Sequence, residues 1–298
     1  MSDDGQQGLT IIAFIGSVFS PYYAFARRGG GADPLNHVAI NVALYGGRGD
    51  RWAMTERGRA ALQRSRDALM IGPSGLAWDG TGLTIRIDEQ AAPLPRRVKG
   101  IVRLHPTAAL DRTVTLDAAG QHVWQPLAPC ARIEVAFEEP ACRWTGSGYF
   151  DTNRGETPLE DAFSHWDWCR AQLADGTAIL YDAVRRDGSL FTLTERIDPS
   201  GRIEPFLPPP MARLPASRWG VKRRVRANAN DVLPCPFVVD RFEDGPFYAR
   251  SLLALPLFGE RSFAVHESLS LDRFRALWVQ ALLPFRMPRA LGWGAARA

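Results

Sequence analysis

The chain has 298 residues, 46% apolar and 23% charged, a balance that supports a packed core and excludes a disordered polyelectrolyte. Its 36 Lys and Arg against 32 Asp and Glu leave a net charge of +4 without a dense basic stripe. The longest basic run, Lys222 to Arg226, reads as a solvated strand rather than a nucleic-acid footprint, and a weak attraction to an anionic membrane surface fits the charge better.

Leu9 to Ala26 is the most apolar stretch near the start, but Gly16, Ser17, Ser20 and Pro21 interrupt it and no cationic region precedes it. Neither a signal peptide nor a membrane-spanning helix is expected there. Gly29, Gly30 and Gly31 lead into Asp33-Pro34, which starts a phosphate-cradling helix poorly. Helical periodicity over Thr55 to Arg66 predicts a charged surface helix. From Trp78 onward, short β-rich runs alternate with Asp-Gly turns: Asp79-Gly80, Asp175-Gly176 and Asp187-Gly188 each mark a hairpin. In the run ending at Asp88, Leu83, Ile85 and Ile87 alternate with Thr84, Arg86 and Asp88, so one strand face is buried and the other wet. Proline clusters at Ala91 to Pro95 and Pro205 to Pro215 read as loops, and Thr152 to Pro158 as a joint between two β units. Near the end, Leu271, Phe274, Leu277, Trp278, Ala281 and Leu282 predict one apolar face of a helix spanning Leu271 to Leu283. That face packs on a barrel in the plainer reading and docks on a membrane in the other.

Nucleotide, metal and serine-hydrolase chemistries find no support in these patterns. His37, His105, His122, His165 and His266 are scattered, with His165 and Asp167 at most a weak ligand pair, and no serine sits in a nucleophile-elbow frame. Cys130, Cys142, Cys169 and Cys235 lie far apart and read as reduced core cysteines.

Two segments concentrate reactive and aromatic side chains. His122 and Trp124 are two apart and share a strand face, as do Tyr149 and Asp151. Protonating an isolated carbon–carbon double bond demands a neutral acid in a dry site and aromatic faces beside the resulting cation. An Asp buried among apolar groups holds its proton to higher pH, so Asp151 suits the acid, and His122 suits orienting a water and accepting its proton. Each residue also has a plainer reading: Trp124 and Tyr149 as core aromatics, His122 as a satisfied strand histidine, Asp151 as a turn residue.

The segments AFIGSVFSPYYAFARR (13–28), HVAINVALYG (37–46), RWAMTERG (51–58), HVWQPLAP, GYFDTN and HWDWCRA resemble the acyclic carotenoid 1,2-hydratases, or hydroxyneurosporene synthases, of photosynthetic bacteria. The resemblance implies Asp151 as proton donor, His122 assisting, Trp124 and Tyr149 lining the cation site, and water adding at carbon 1 of an acyclic carotenoid such as neurosporene or lycopene. It implies no cofactor and no metal. It also implies a cytoplasmic enzyme, peripheral to the inner photosynthetic membrane or to other carotenoid enzymes. The expected fold is all-β, with tandem lipocalin-like barrel or sandwich domains. Residues 1–155 would carry His-x-Trp and, at their end, Tyr-x-Asp, and residues 156–298 would end in the amphipathic helix. Family members often carry a longer N-terminus and Ser where Cys169 stands. Two alternatives remain open on the same fold: a non-catalytic carotenoid or lipid carrier, and a polyene isomerase or cyclase.

Overall fold

A computed structural model describes residues 1–17, 19–46, 50–230 and 234–290. Antiparallel strands dominate, in chain order β1 (Gly8–Ile15), β2 (Val38–Tyr45), β3 (Arg51–Met54), β4 (Leu62–Arg64), β5 (Ala68–Ile71), β6 (Ser74–Trp78), β7 (Leu83–Gln90), β8 (Arg97–Pro106), β9 (Val114–Thr115) and β10 (His122–Glu139). They continue with β11 (Cys142–Gly155), β12 (Phe163–Leu173), β13 (Gly176–Arg185), β14 (Leu190–Ile197), β15 (Ile203–Pro205), β16 (Met211–Leu214), β17 (Arg223–Arg226), β18 (Phe237–Asp244), β19 (Tyr248–Leu257) and β20 (Glu260–Ser270). The α-helices are short: α1 (Pro21–Arg28), α2 (Leu159–Ala162), α3 (Leu271–Arg275) and α4 (Leu277–Arg286). No helix among the described residues is long and apolar enough to cross a membrane. The all-β expectation is met, and the three Asp-Gly hairpins fall where the turn chemistry puts them.

The chain packs as two compact units. One contains Met1–Pro106, Ala131–Gly148 and the described residues from Gln280 on; the other contains Thr107–Cys130 and Tyr149–Val279. The sequence reading places a single joint at 155/156. The packing assigns residues differently, because the long strands β10 and β11 each contribute to both units.

In the first unit, β2 pairs with β1 and β3, and all of Val38–Tyr45 is buried. The segment Thr55 to Arg66 is not the predicted helix: it holds one 3-10 turn at Arg59–Ala61 and then β4. Tertiary ion pairs override the local period. Glu56 is buried against His37 Nδ1 at 2.8 Å, and Arg57 donates to the buried Glu89 at 2.7 Å, which holds both residues in extended backbone. Gly58 follows with ψ 175°, extended, so no helix runs through it and only the short 3-10 turn begins after it.

The second unit is a seven-stranded sheet in the order β15-β14-β13-β12-β20-β19-β18, with the β16–β17 hairpin paired separately. The β13–β14 turn shows why the sheet forms where it does. Asp187 accepts a hydrogen bond from the Ser189 amide at 2.8 Å, and Gly188 takes φ 83°, a left-handed conformation that a side chain resists. Strand alternation then gives the sheet two unlike faces. On β12, Cys169, Ala171 and Leu173 enter an apolar core with Leu180, Leu214, Val225, Leu253 and Ala264. Trp166, Trp168 and Arg170 point to the opposite face.

Within this unit four sequence expectations need correction. The proline-rich segment to Pro215 is not all loop, since Met211–Leu214 pairs with β17 and buries Leu214. The basic run of β17 is not a solvated strand: Arg223 is buried and donates to Pro215 O and Ser251, Arg224 pairs with Asp167, and Arg226 with Asp182. Carboxylates on other strands neutralise Arg224 and Arg226, a pairing no local pattern reveals. The cysteines are free, but only Cys169 is buried and Cys235 is exposed. Finally, the C-terminal helix breaks at Ala276, whose ψ of 131° is extended. One extended residue rotates everything after it, so the apolar period no longer describes one face: Leu271 and Phe274 are buried, whereas Leu277 and Trp278 are exposed.

Candidate functional site

The site is built on the second face of the seven-stranded sheet. Register places Arg250, Glu267, Trp168, Tyr181 and Leu193 in one row across β19, β20, β12, β13 and β14, and residues paired in this way share a face. Trp124 from β10 meets this row edge-on, its ring centroid 5.8 Å from that of Tyr181. Tyr149 from β11 lies with its ring centroid 5.3 Å from that of Trp168, and the Arg170 guanidinium is 5.6 Å from the Tyr149 ring.

Three of the four residues singled out from sequence come together around one carboxyl. Trp124 Nε1 donates to Asp151 Oδ2 at 2.7 Å, and Tyr149 Oη donates to the same oxygen at 2.9 Å. Trp124 is fully buried, while Asp151 keeps some accessible surface. Oδ1 takes no hydrogen bond from any described residue, so it is the oxygen free to meet a ligand. Burial raises the Asp151 pKa from 3.8 to about 6. The hydrogen bonds from Trp124 and Tyr149 oppose that rise, and the negative charge of Glu267 adds to it. Tyr149 is itself pushed well up, by burial and then by the neighbouring Asp151 charge, so it stays a neutral donor. Burial draws the Arg170 guanidinium down from its ordinary value.

His122 is placed differently. Its Nδ1 lies 2.8 Å from Asp117 Oδ2 and its Nε2 3.1 Å from the Thr157 carbonyl. Asp117 also accepts from the amides of Gln121 and His122. Burial would raise the Asp117 pKa, but these bonds outweigh it and hold the carboxyl in its charged form. Both ring nitrogens of His122 therefore face acceptors, and neither contacts Asp151. An edge-to-face series connects the two: His122 to Phe163, Phe163 to Trp166, Trp166 to Tyr181 and Tyr181 to Trp124.

Sequence reasoning missed the residues that complete the surroundings: Tyr181, Trp166, Trp168 and Glu267. The HWDW segment contained the signal, because Trp166 and Trp168 repeat the two-residue spacing of His122 and Trp124. The same segment also holds His165 and Asp167. Those lie on the other face, where Asp167 accepts from His165 at 3.2 Å, Ser268 at 2.5 Å and Arg224 at 3.3 Å. No group of three or more His, Cys, Asp or Glu among the described residues is placed to hold a metal ion.

Residues 11–296 match the family model described as Carotenoid hydratase CrtC. The chain is 56% identical over 293 residues to the acyclic carotenoid 1,2-hydratase of Thiocapsa roseopersicina, covering 98% of this chain and 72% of that one. It is 48% identical over 294 residues to the enzyme of that name from Rubrivivax gelatinosus, covering 97% and 71%. Over 284 residues it is 45% identical to that of Cereibacter sphaeroides, covering 95% and 99%. Among solved structures it is similar to an AttH protein from Nitrosomonas europaea, with a TM-score of 0.57 at 13% identity over 90% of this chain and 88% of that one. It is also similar to CghA in complex with Sch210972, with a TM-score of 0.52 at 12% identity over 91% and 86%. Identities this low carry the fold alone, and they agree with an all-β, lipocalin-like architecture.

Proposed function

The chain belongs to the carotenoid hydratase family, and we propose that it adds water across the terminal C1=C2 double bond of an acyclic carotenoid, with Asp151 as the acid. One observation carries the assignment of the acid. Both donors to Asp151 converge on Oδ2, so the proton of the neutral carboxyl belongs on Oδ1, the oxygen with no partner among the described residues. With a pKa of about 6, roughly a tenth of the molecules hold that proton at pH 7, against roughly a thousandth for an unperturbed Asp.

The reaction balances without another reagent. Oδ1 gives its proton to carbon 2, and the π electrons of the double bond form the new C–H bond, leaving a tertiary cation at carbon 1. The faces of Trp124 and Tyr149, with Trp168 and Tyr181 around them, stabilise that cation. A water oxygen bonds to carbon 1 and loses one proton to the Asp151 carboxylate. This yields a tertiary 1-hydroxy carotenoid and restores the acid. The steps need neither a cofactor nor a metal, which supports a cofactor-independent hydro-lyase. His122, held at both nitrogens, takes a positioning role: it ties the start of β10 to Asp117 and Thr157 and so fixes Trp124 two residues along the same strand face.

The carotenoid substrate partitions into membranes, so the proposal includes peripheral contact with the cytoplasmic side of the inner photosynthetic membrane. Exposed Leu277 and Trp278 at the start of α4 support it. Trp219 stacks beside Trp278 and the Arg273 guanidinium lies 5.5 Å from its ring, a pairing of aromatic and cationic groups suited to a bilayer interface. Trp278→Glu is expected to weaken flotation with anionic vesicles severalfold while leaving turnover of detergent-solubilised substrate intact. Unchanged flotation would remove α4 from the interface.

The experiment for the function itself is product analysis after incubation with lycopene. A product heavier by one water supports hydration, an unchanged mass supports isomerisation, and binding without product supports a carrier.

A further inference from the structure

The face that holds Glu267 and Trp168 does not end beside Asp151. On β20 the side chains alternate: Ser262, Ala264, His266 and Ser268 are buried, and the residues between them point to the site face. Along that face accessibility grows away from the acid. Leu269 is buried, Glu267 and Val265 are partly accessible, and Phe263 is 61% exposed. Phe263 lies opposite Ala254 of β19, which lies opposite Phe237 of β18, itself 47% exposed. Leu252, opposite Val265 and itself buried, underlies the same strip. A strand rises about 3.3 Å per residue, so Phe263 sits roughly 13 Å beyond the Glu267 row.

Between Glu267 and Arg261 this face of β20 carries no charged side chain, and the Arg261 guanidinium closes the strip 5.8 Å from the Phe237 ring. A lone exposed apolar residue is ordinary on a protein surface. Two phenylalanines in one cross-strand row, continuous with an apolar strip that starts one row on from Glu267 and Trp168, point to a ligand. We infer that this strip, from Val265 and Leu252 to Phe263 and Phe237, binds the unreacted polyene of the substrate whose end is protonated by Asp151. The inference rests on the hydratase reading and adds to it the course of the long chain. A rod of conjugated carbons needs an apolar surface to lie along, and the strip supplies one between Arg170, opposite Val265, and Asp240, opposite Leu252, which mark its two margins.

The test is the double variant Phe237→Ser/Phe263→Ser, whose positions are exposed enough to tolerate change, with Leu207→Ser, 91% exposed and outside the strip, as control. Each is assayed in detergent with an acyclic carotenoid and with a short acyclic isoprenoid ending in the same isopropylidene group. The expected result is a rise of about tenfold in KM for the carotenoid at nearly unchanged kcat, with the short substrate and the control variant unaffected. Equal loss on both substrates, or no loss on either, overturns the inference. So does loss of vesicle binding with unaltered carotenoid kinetics, which assigns the strip to lipid. A wild-type enzyme that hydrates neither substrate refutes the hydratase reading itself, and the inference with it.

Discussion

With Asp151 as the proposed acid, function and stability pull in opposite directions at this residue. The folded-state pKa of about 6 exceeds the ordinary 3.8, so between these values the native protein binds the proton more tightly than the unfolded chain. Stability therefore falls as pH rises through that window, and the penalty is complete above about pH 6. Asparagine carries no charge and still offers one oxygen to Trp124 and Tyr149. Asp151→Asn is expected to lower hydration by at least about a hundredfold while adding about 1–2 kcal/mol of stability at pH 8, a gain that vanishes near pH 4. Denaturant titration at both pH values checks the second half; a variant less stable at pH 8 would contradict the burial argument.

The proposed acid role also places the pH dependence of turnover on this residue. Activity needs the protonated acid, so kcat/KM is expected to fall about tenfold per unit above pH 6. Two neighbours move that limb in opposite directions. Tyr149→Phe removes a bond that favours the carboxylate and shifts the limb up. Glu267→Gln removes a charge that disfavours it and shifts the limb down. A shift in the same direction for both would mean that another group titrates. The shared strand faces of His122 with Trp124 and of Tyr149 with Asp151 were legible from two-residue spacing; the meeting of Trp124 with Asp151 was not. The separate anchoring of His122 was not, because Asp117 and Thr157 reach it from outside its own strand.

At the scale of elements, the β16–β17 hairpin depends on ion pairs more than its composition suggests. Arg226 lies 2.9 Å through Nε from both oxygens of Asp182 and 2.7 Å through Nη2 from one of them, and Thr192 adds a third donor group to that carboxylate. Arg226→Met leaves Asp182 largely buried with only Thr192 as partner, and is expected to cost about 2–3 kcal/mol, read as a lower denaturant midpoint. Because Asp182 lies on the core side of β13, next in sequence to Tyr181 on the site side, the loss of stability should leave the pH limb of catalysis in place. Hairpins were the most legible elements, since Asp and Gly define their turns locally. The helices were the least legible: Ala276 breaks one, and the pairing of Glu56 and Arg57 abolishes another.

For the whole molecule, the reaction as written draws only on side chains and water. Extensive dialysis against a strong chelator, followed by assay in metal-free buffer, is expected to leave turnover unchanged; recovery of lost activity by one added divalent ion would require a metal in the mechanism. Legible in the chain before folding were the all-β class, the hairpin turns, the strand-face pairs His122 with Trp124 and Tyr149 with Asp151, and the family. Strand alternation, turn chemistry and motif spacing are local properties, written within a few residues. Folding was needed to bring Trp124 and Tyr149 onto one oxygen of Asp151, to set the Glu267 charge nearby, to pair Arg224 and Arg226 with carboxylates, and to run the site face on to Phe263. Those facts depend on strand order and register, which join residues from 27 positions apart, as Trp124 and Asp151 are, to more than a hundred, and on burial, which changes the proton affinity of a carboxyl without changing a letter of its motif.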